Sequence, residues 1–249
     1  MNNMSVITLN NVVKSFGKQT VLDHVNMQIY PGQIVGLIGP SGAGKSTVIK
    51  IVLGMELADS GRTTVFGKQM PNRELLGRIG YMAQSDALYE SLSGRENLQF
   101  YSDMKGLNKR SAGMQINHVA QVVDLIPDLD KRVSGYSGGM KRRLSLAIAL
   151  LGNNDVLILD EPTVGVDPAL RRSIWTELKN LRNQGKTIMV TTHVMDEAEL
   201  VDEVALLLGG SIIAYSDPYS LKQYYQVNSI EEVFLKAEAI YNTNNARKM

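Results

Sequence analysis

The fold of this chain is decided by residues 39–47, which read Gly-Pro-Ser-Gly-Ala-Gly-Lys-Ser-Thr. This glycine-rich stretch follows the apolar run 34–38 and precedes a second, largely apolar run at 48–53. A buried strand, a glycine-rich turn and a helix form the context in which this pattern binds phosphate. Successive backbone N–H groups then point into one concavity, and the positive end of the helix dipole favours anionic oxygens there. We therefore predict a phosphate-binding loop rather than an ordinary turn.

Each residue type in the loop has a use in holding phosphate. Gly42 and Gly44 let the backbone pass close to the ligand without a Cβ in the way. The Lys45 ammonium can reach the β- and γ-phosphates, and the Ser46 hydroxyl can bind Mg²⁺. The predicted ligands are therefore the phosphates of a nucleotide and Mg²⁺. The predicted nucleotide contacts are Gly39, Ser41, Gly42, Ala43, Gly44, Lys45, Ser46 and Thr47.

Composition restricts the class of protein. The 249 residues are 44% hydrophobic and 20% charged, which fits one large α/β domain with an insertion. A net charge of +1 gives no broad field that would attract nucleic acid or a membrane surface. The chain has no cysteine, so disulfides, zinc–cysteine clusters and thiol nucleophiles are excluded. No segment approaches the roughly 20 apolar residues that span a bilayer, so we expect membrane contact only through a partner.

Apolar runs separated by helical patterns predict a doubly wound, mostly parallel sheet. The candidate buried strands are 34–38, 156–159, 187–191 and 204–208. Period-two alternation at 6–9 and 25–29 predicts half-exposed antiparallel strands before them. A helix is predicted over 168–184, with Asp167 as its N-cap and Gly185 as its end.

The stretch 91–151 shows helical periodicity and no convincing strand. We therefore predict a helical subdomain inserted into an α/β core that consists of 1–90 and 152–220. Together these parts would form one domain over 1–220. A short helical tail over 221–249 would follow it.

Two adjacent carboxylates end the apolar run 156–159. Because side chains alternate along a strand, Asp160 and Glu161 can turn in different directions. Asp160 would hold Mg²⁺ through its water shell, and Glu161 would position or deprotonate an attacking water. An exposed pair of acids at a strand end is the alternative interpretation.

A second group of small residues, Ser137, Gly138 and Gly139, lies just before an apolar helix. Small residues at a helix start expose N–H groups to an anion. Since one phosphate chain does not need two cradles, we predict that this second cradle serves a nucleotide bound by another copy of the chain.

The order of these motifs resembles the nucleotide-binding subunit of ABC transporters over nearly the whole chain. In that family a glutamine, an LSGGQ-like signature, paired carboxylates, an aspartate turn and a histidine follow the phosphate loop. The matching residues here are Gln84, Ser137, Gly138, Gly139, Asp160, Glu161, Asp167 and His193. The resemblance implies a P-loop NTPase fold with a mostly parallel sheet, an N-terminal antiparallel β subdomain and an inserted α-helical subdomain.

The resemblance also implies a role for individual residues. Phe16 would stack on adenine, with a core phenylalanine as the alternative. Gln84 would contact Mg²⁺ and the attacking water, and would report to the membrane partner. His193 would bond the γ-phosphate and hold Glu161 in place. Asp167 would belong to the nucleotide-binding set.

The signature departs from the family pattern, because Tyr136 stands in place of leucine and Met140 in place of glutamine. The serine and both glycines remain, so we expect ATP binding to survive, while the polar contact of the fifth position is left open. The basic run 141–143 and the Val-Gly-Val-Asp turn at 164–167 resemble the exporter branch that works with ABC-2 class membrane subunits. We interpret 141–143 as a solvated helix face rather than a nucleic-acid site.

The function that the resemblance implies is ATP hydrolysis that powers an ABC-2 type exporter through ATP-driven closure of a dimer. The expected partners are transmembrane permease subunits and a second nucleotide-binding subunit, in a homodimer, with no nucleic acid. The protein would be cytoplasmic and peripheral on the inner face of the cell membrane. The expected contact with the permease lies near Gln84 and draws on Leu88, Tyr89, Leu92, Leu98, Phe100 and Tyr101.

Three other functions compete with this one. A soluble ABC-type ATPase acting on nucleic acid or the ribosome usually carries two cassettes, a coiled-coil arm or zinc modules. A regulatory module that binds ATP without hydrolysis does not need both Glu161 and His193. A metabolic kinase with a phosphate loop does not explain the small residues at 137–139.

Overall fold

The computed structural model describes residues 4–84 and 87–246. The strands are β1 (Ile7–Phe16), β2 (Gln19–Ile29), β3 (Ile34–Ile38), β4 (Ser60–Val65), β5 (Lys68–Gln69), β6 (Ile79–Met82), β7 (Val156–Asp160), β8 (Thr187–Thr192), β9 (Glu203–Leu208) and β10 (Ser211–Ser216). The helices are α1 (Lys45–Val52), α2 (Gly94–Met104), α3 (Lys109–Val122), α4 (Gly138–Leu150), α5 (Pro168–Asn183), α6 (Met195–Ala198), α7 (Pro218–Tyr225) and α8 (Ile230–Ala246). Short 3₁₀ turns lie at Arg73–Arg78, Ile126–Asp128 and Val133–Gly135. The chain divides into two compact units, one of residues 1–73 and 189–249 and the other of residues 74–188.

The first unit contains an antiparallel sheet with the strand order β2-β1-β4-β5. Ile7 pairs with both Ile29 on β2 and Val65 on β4. The antiparallel strands expected at 6–9 and 25–29 are therefore confirmed, but they are longer than predicted. Asn11 (φ 48°) and His24 (φ 50°) lie at irregular points that interrupt the alternation of side chains. Such bulges break the alternation of apolar and polar residues, so a continuous strand looks shorter in the sequence than it is.

The four strands predicted as buried are confirmed. Every residue of β3, β7 and β8 is buried, as a continuous apolar run requires. In the first unit β3 pairs in parallel with β9, and in the second unit β6 pairs in parallel with β7. β10 returns antiparallel to β9 and, like β4 and β5, was not expected from the sequence. The mixed, mostly parallel sheet beside an antiparallel N-terminal sheet is the predicted fold class.

Helices of the second unit begin at side chains that satisfy their first N–H groups. Ser93 and Glu96 form a reciprocal capping box at α2, and Asn108 caps α3. The predicted α5 cap is confirmed, since the Asp167 carboxylate accepts from the N–H groups of Ala169 (2.9 Å) and Leu170 (3.0 Å). Helices α2, α3 and α4 fall within 91–151, where helical periodicity predicted them.

One acidic side chain of the first unit binds both of its C-terminal helices. Glu199 accepts a hydrogen bond from Lys222 Nζ on α7 (2.6 Å) and one from the backbone N–H of Ile230 at the start of α8 (2.9 Å). Helix α8 buries Ile230, Val233 and Phe234. The tail is helical, as predicted, while the boundaries proposed at 90, 151 and 220 stay predictions. Among the described residues, no helix has the length and apolarity to cross a membrane.

Candidate functional site

The phosphate-loop sequence forms the turn between β3 and α1 in the first unit. Gly42 (φ 80°) and Gly44 (φ 106°) are in the left-handed region, which favours glycine. A Cβ at Gly44 would lie 2.7 Å from Leu22 Cδ2, and one at Gly39 would lie 2.2 Å from the carbonyl oxygen of Leu207. A Cβ at Gly42 would meet no described atom within 4 Å, so the loop is open on that side. The turn is therefore tight against the protein and accessible from outside.

Lys45 is the first residue of α1, and it stabilises the loop from within. Its side chain is buried, with 7% exposure, and its Nζ donates to the carbonyl oxygens of Gly39 (2.7 Å) and Pro40 (3.0 Å). The N-cap of α1 is Gly44, which has no side chain to accept from the N–H groups of the first turn. An anion is a suitable acceptor for those groups.

The remaining loop residues differ in what they can offer a ligand. Ser41 is exposed, and Ser46 and Thr47 are half-buried. Ala43 is buried and its N–H donates to the carbonyl oxygen of Pro40 (3.2 Å), so its backbone amide is already used within the loop. An anchored ammonium, first-turn N–H groups and the Ser46 hydroxyl form a donor set that fits a magnesium–nucleotide.

Phe16 ends β1 with its ring 48% exposed, so the alternative of a core phenylalanine is wrong. Lys14 Nζ lies 5.1 Å from the ring centroid, within the range of a cation–π contact. The same ammonium is held by Glu56 (2.8 Å) and Asp59 (3.3 Å). The structure therefore presents a supported, accessible aromatic ring, and its contact with adenine stays a prediction.

His193 follows β8 directly and is exposed. The turn around it is fixed by Glu197, which is 1% exposed and accepts from Thr192 Oγ1 at 2.7 Å. Thr192 Oγ1 in turn accepts from the N–H of Val194 at 3.0 Å. Sequence reasoning missed Glu197; the available signal was Thr192, because a threonine at the end of a strand often bonds to the backbone of the following turn.

The paired carboxylates end β7 in the second unit and differ in environment. Asp160 is 3% exposed, and its charge adds to burial in raising the pKa of Tyr81. Glu161 is half-buried and has a left-handed backbone at φ 54°. A left-handed residue other than glycine costs about 1–2 kcal/mol. The prediction that the two side chains turn in different directions agrees with their unequal burial.

Arg142, on the signature helix α4, binds the backbone of the two residues that carry these carboxylates. Its Nη2 donates to the carbonyl oxygens of Asp160 (2.5 Å) and Glu161 (2.6 Å), and its Nη1 donates to that of Gln84 (3.0 Å). The Gln84 side chain is exposed, and residues 85 and 86 lie outside the described part of the chain. Sequence reasoning gave Arg142 no role.

The interpretation of 141–143 as a solvated helix face is wrong. Lys141 pairs with Glu90, and Arg143 Nη1 donates to the carbonyl oxygen of Asp124 (2.8 Å) at the end of α3. All three basic side chains are half-buried. The reason is that backbone carbonyls and acids of neighbouring elements surround this turn of α4, and a run of letters shows no such neighbours.

The signature residues stand at the start of α4. Ser137 is its N-cap and accepts from the N–H of Met140 at 3.2 Å. Gly138 and Gly139 are exposed. Tyr136 is 7% exposed, and its hydroxyl donates to the carbonyl oxygen of Asp128 at 2.8 Å. Burial raises the pKa of Tyr136, so this residue replaces the family's leucine as a neutral, buried anchor.

Asp167 is exposed and serves as the N-cap of α5. Hydrogen bonds from the backbone N–H groups of Leu170 and then Ala169 lower the pKa of Asp167. The first unit thus holds Phe16, the loop 39–47 and His193. The second unit holds Gln84, Ser137, Gly138, Gly139, Asp160, Glu161 and Asp167.

A strand, a glycine loop and a helix with an anchored lysine, in a chain with acids at a strand end, define a P-loop nucleoside-triphosphate hydrolase. The family model described as "ABC transporter" matches residues 22–164. The chain belongs to the ABC transporter family, as the resemblance predicted, and is an ATP-binding and ATP-hydrolysing subunit of that family.

Curated relatives cover most of this chain. The Nod factor export ATP-binding protein I of Rhizobium etli is 42% identical over 221 residues, which are 88% of this chain and 70% of that protein. The probable multidrug ABC transporter ATP-binding protein YbhF of Escherichia coli is 39% identical over 220 residues. This alignment covers 88% of this chain but only 38% of YbhF, so the chain spans less than half of that relative.

Solved structures share the fold. The ATP-binding subunit of an ABC transporter superimposes with a TM-score of 0.86 at 23% identity, over 94% of this chain and all of that one. A dimeric ATP-binding cassette, MJ0796, in a post-hydrolysis state bound to ADP and phosphate, gives a TM-score of 0.78 at 25% identity. It covers 85% of this chain and 98% of that one.

Proposed function

We propose that this chain is the ATPase subunit of an exporter whose membrane subunits belong to the ABC-2 class. The observation that carries the proposal is the 42% identity to a Nod factor export ATP-binding protein over 88% of the chain. The basic run 141–143 and the turn 164–167 add support for the ABC-2 branch. The protein would be held on the inner face of the cell membrane by its permease subunits.

The chain's own residues supply the parts that phosphoryl transfer needs. Lys45 and the first-turn N–H groups of α1 bind the phosphates, and Phe16 stacks on the adenine. Glu161 holds the attacking water and accepts its proton, while His193 bonds the γ-phosphate. Ser46, Gln84 and Asp160 are the residues that would hold Mg²⁺. When bound, Mg²⁺ neutralises charge on the phosphate oxygens.

Hydrolysis would require two subunits. Ser137, Gly138 and Gly139 present the open start of α4, and we assign them to the nucleotide carried by the other subunit. The dimeric form of a related cassette with ADP and phosphate supports this assignment. Contacts through nucleotide exist only in the closed dimer, so ATP would favour closure and hydrolysis would remove part of that advantage. A homodimer is the simplest arrangement.

The membrane subunit would dock on aromatic residues of the second unit. Tyr89 is 46% exposed and Phe100 is 37% exposed, and their rings meet edge to face at 4.8 Å. Leu98 is fully buried, and the Tyr101 hydroxyl donates to the carbonyl oxygen of Ala87 at 2.6 Å. Of the six apolar or aromatic residues singled out in the sequence, these two form the exposed third that a partner helix could contact.

The test is light scattering after size exclusion on the Glu161→Gln protein, with and without ATP in the absence of Mg²⁺. We expect a monomer without ATP and a dimer with it. Adding Ser137→Arg should abolish the dimer while ATP binding, measured by equilibrium dialysis, persists. Ser134→Arg is the matched control, because Ser134 is exposed and lies three residues before the signature serine.

Three results would count against the proposal. Loss of dimer with Ser134→Arg as well as Ser137→Arg would show only an effect of added charge. A monomer under all conditions, despite bound ATP, would mean that the shared site needs a different second cassette. Absence of ATP binding would remove the function altogether.

A further inference from the structure

Arg142 lies two residues after the signature motif and contacts segments that are distant in the sequence. Its guanidinium donates to three backbone carbonyls, and these belong to the two segments that carry the predicted catalytic residues. All four residues lie in the second unit. Its Nε is buried without a hydrogen-bond partner among the described residues, which costs stability.

The geometry points to Arg142 as a positioning residue that ties the start of the signature helix to the backbone of Glu161 and Gln84. The planar guanidinium can serve several carbonyls in fixed directions at once, which a lysine ammonium on a flexible stem cannot. Arg142 does not contact the reacting atoms. It acts through the backbone that carries them.

Glu161 is the residue that most needs this support. Its backbone is left-handed at φ 54°, a conformation that persists only when its surroundings fix it. The hydrogen bonds from Arg142 to the carbonyl oxygens of Asp160 and Glu161, which belong to the peptide groups before and after the Glu161 Cα, hold this segment against relaxation. A relaxed backbone would move the carboxylate, and a misplacement of about 1 Å can cost about 100-fold in rate.

The helix supplies the second part of the link. Ser137 caps α4 and Arg142 lies five residues later, so about 7.5 Å of rigid helix separates them. On the proposed function, Ser137 contacts the nucleotide of the other subunit. A shift of α4 on that contact would then move the carbonyl anchors of Glu161 and Gln84 in the same chain. Through Arg142, binding of the nucleotide on the other subunit would therefore change the position of the Glu161 carboxylate in this chain.

The experiment compares Arg142→Met, Arg142→Lys and Arg143→Met in steady-state ATP hydrolysis. Arg143 is the matched control, since it is the next residue, is half-buried and also donates to backbone carbonyls, but at the end of α3. We expect Arg142→Met to lower kcat at least about tenfold with KM for ATP changed less than about threefold. Arg142→Lys should restore only part of kcat, and Arg143→Met should keep kcat within about twofold.

A second measurement separates positioning from damage to the fold. In the Glu161→Gln background, Arg142→Met should keep the ATP-dependent dimer, because the phosphate contacts at 137–139 remain. Unchanged kcat in Arg142→Met, or an equal loss of kcat in Arg143→Met, would overturn the inference. Loss of the dimer in the double variant alone would show that Arg142 maintains the signature helix instead. If Glu161→Gln itself forms no dimer, the shared-site proposal fails, while the kcat comparison still tests whether Arg142 positions Glu161.

Discussion

The contact between Gly94 and Tyr136 gives a sharp test of how the altered signature is accommodated. Gly94 opens α2, and a Cβ there would lie 2.4 Å from the Tyr136 hydroxyl oxygen and 3.1 Å from the carbonyl oxygen of Leu129. The tyrosine cannot simply swing away, because its ring is buried and its hydroxyl is bonded to Asp128. A tyrosine in the signature therefore requires a glycine at position 94.

The expected cost of Gly94→Ala follows from two opposing terms. Overpacking of a buried contact costs about 1–3 kcal/mol, while alanine gains up to about 1 kcal/mol over glycine in a helix. We expect a net loss of about 1–2 kcal/mol in the free energy of unfolding. In a protein of this size that loss lowers Tm by about 2–8 °C. Replacing Tyr136 with the family's leucine removes the hydroxyl, so Gly94→Ala should then cost less than about 0.5 kcal/mol.

The assay is urea unfolding followed by circular dichroism on four proteins: the natural chain, Gly94→Ala, Tyr136→Leu and the double variant. The double-mutant cycle should show a coupling energy of about 1–2 kcal/mol between the two positions. Tyr136→Leu alone should be destabilising, because it removes the hydrogen bond from the Tyr136 hydroxyl and leaves the Asp128 carbonyl oxygen with only the Lys131 N–H as donor. An equal cost of Gly94→Ala in both backgrounds would refute the reasoning.

Three further predictions concern other parts of the chain. Burial lowers the pKa of Lys105 to about 8, below its unfolded value of 10.5, so stability from this group should rise with pH across that window. The free energy of unfolding of the natural chain, relative to that of Lys105→Met, should therefore increase between about pH 7.5 and about pH 9.5. A difference that does not change with pH would contradict this. Phe16→Ala should raise KM for ATP by about 3–30-fold, and Phe16→Tyr should leave it unchanged; equal KM values in all three proteins would exclude base stacking. Glu197→Gln should lower kcat, because it loosens the turn that carries His193. ATP binding, measured by dialysis, is the control and should not change. Full kcat in Glu197→Ala would show that the turn does not depend on this acid.

The parts of the molecule that the sequence predicts well are those with local causes. The glycines of the loop 39–47 predict its geometry, because two of them adopt left-handed φ. Asp167 followed by Pro168 predicts the start of a helix. The four buried strands were predictable because continuous apolar runs of that length have few alternatives. Each of these signals lies within about ten residues of the feature it predicts.

The parts that escaped prediction depend on contacts between distant segments. Arg142 binds carbonyls 18, 19 and 58 positions away along the chain, and nothing in a run of three basic residues indicates this. The left-handed backbone of Glu161 is equally hidden, since the run that precedes it is an ordinary strand. β1 was underestimated because the irregular point at Asn11 breaks the alternation on which its prediction depended.

The role of Glu199 limits how the C-terminus of this protein can vary. Its carboxylate holds both Lys222 and the start of α8, only six residues after His193. A gene truncated at codon 220 would remove both donors and uncover the part of the first unit that Ile230, Val233 and Phe234 now cover. We therefore expect the protein to tolerate fusions and changes of length after residue 234. Changes within 230–234 should destabilise the first unit, so this part of the tail belongs to the folded cassette.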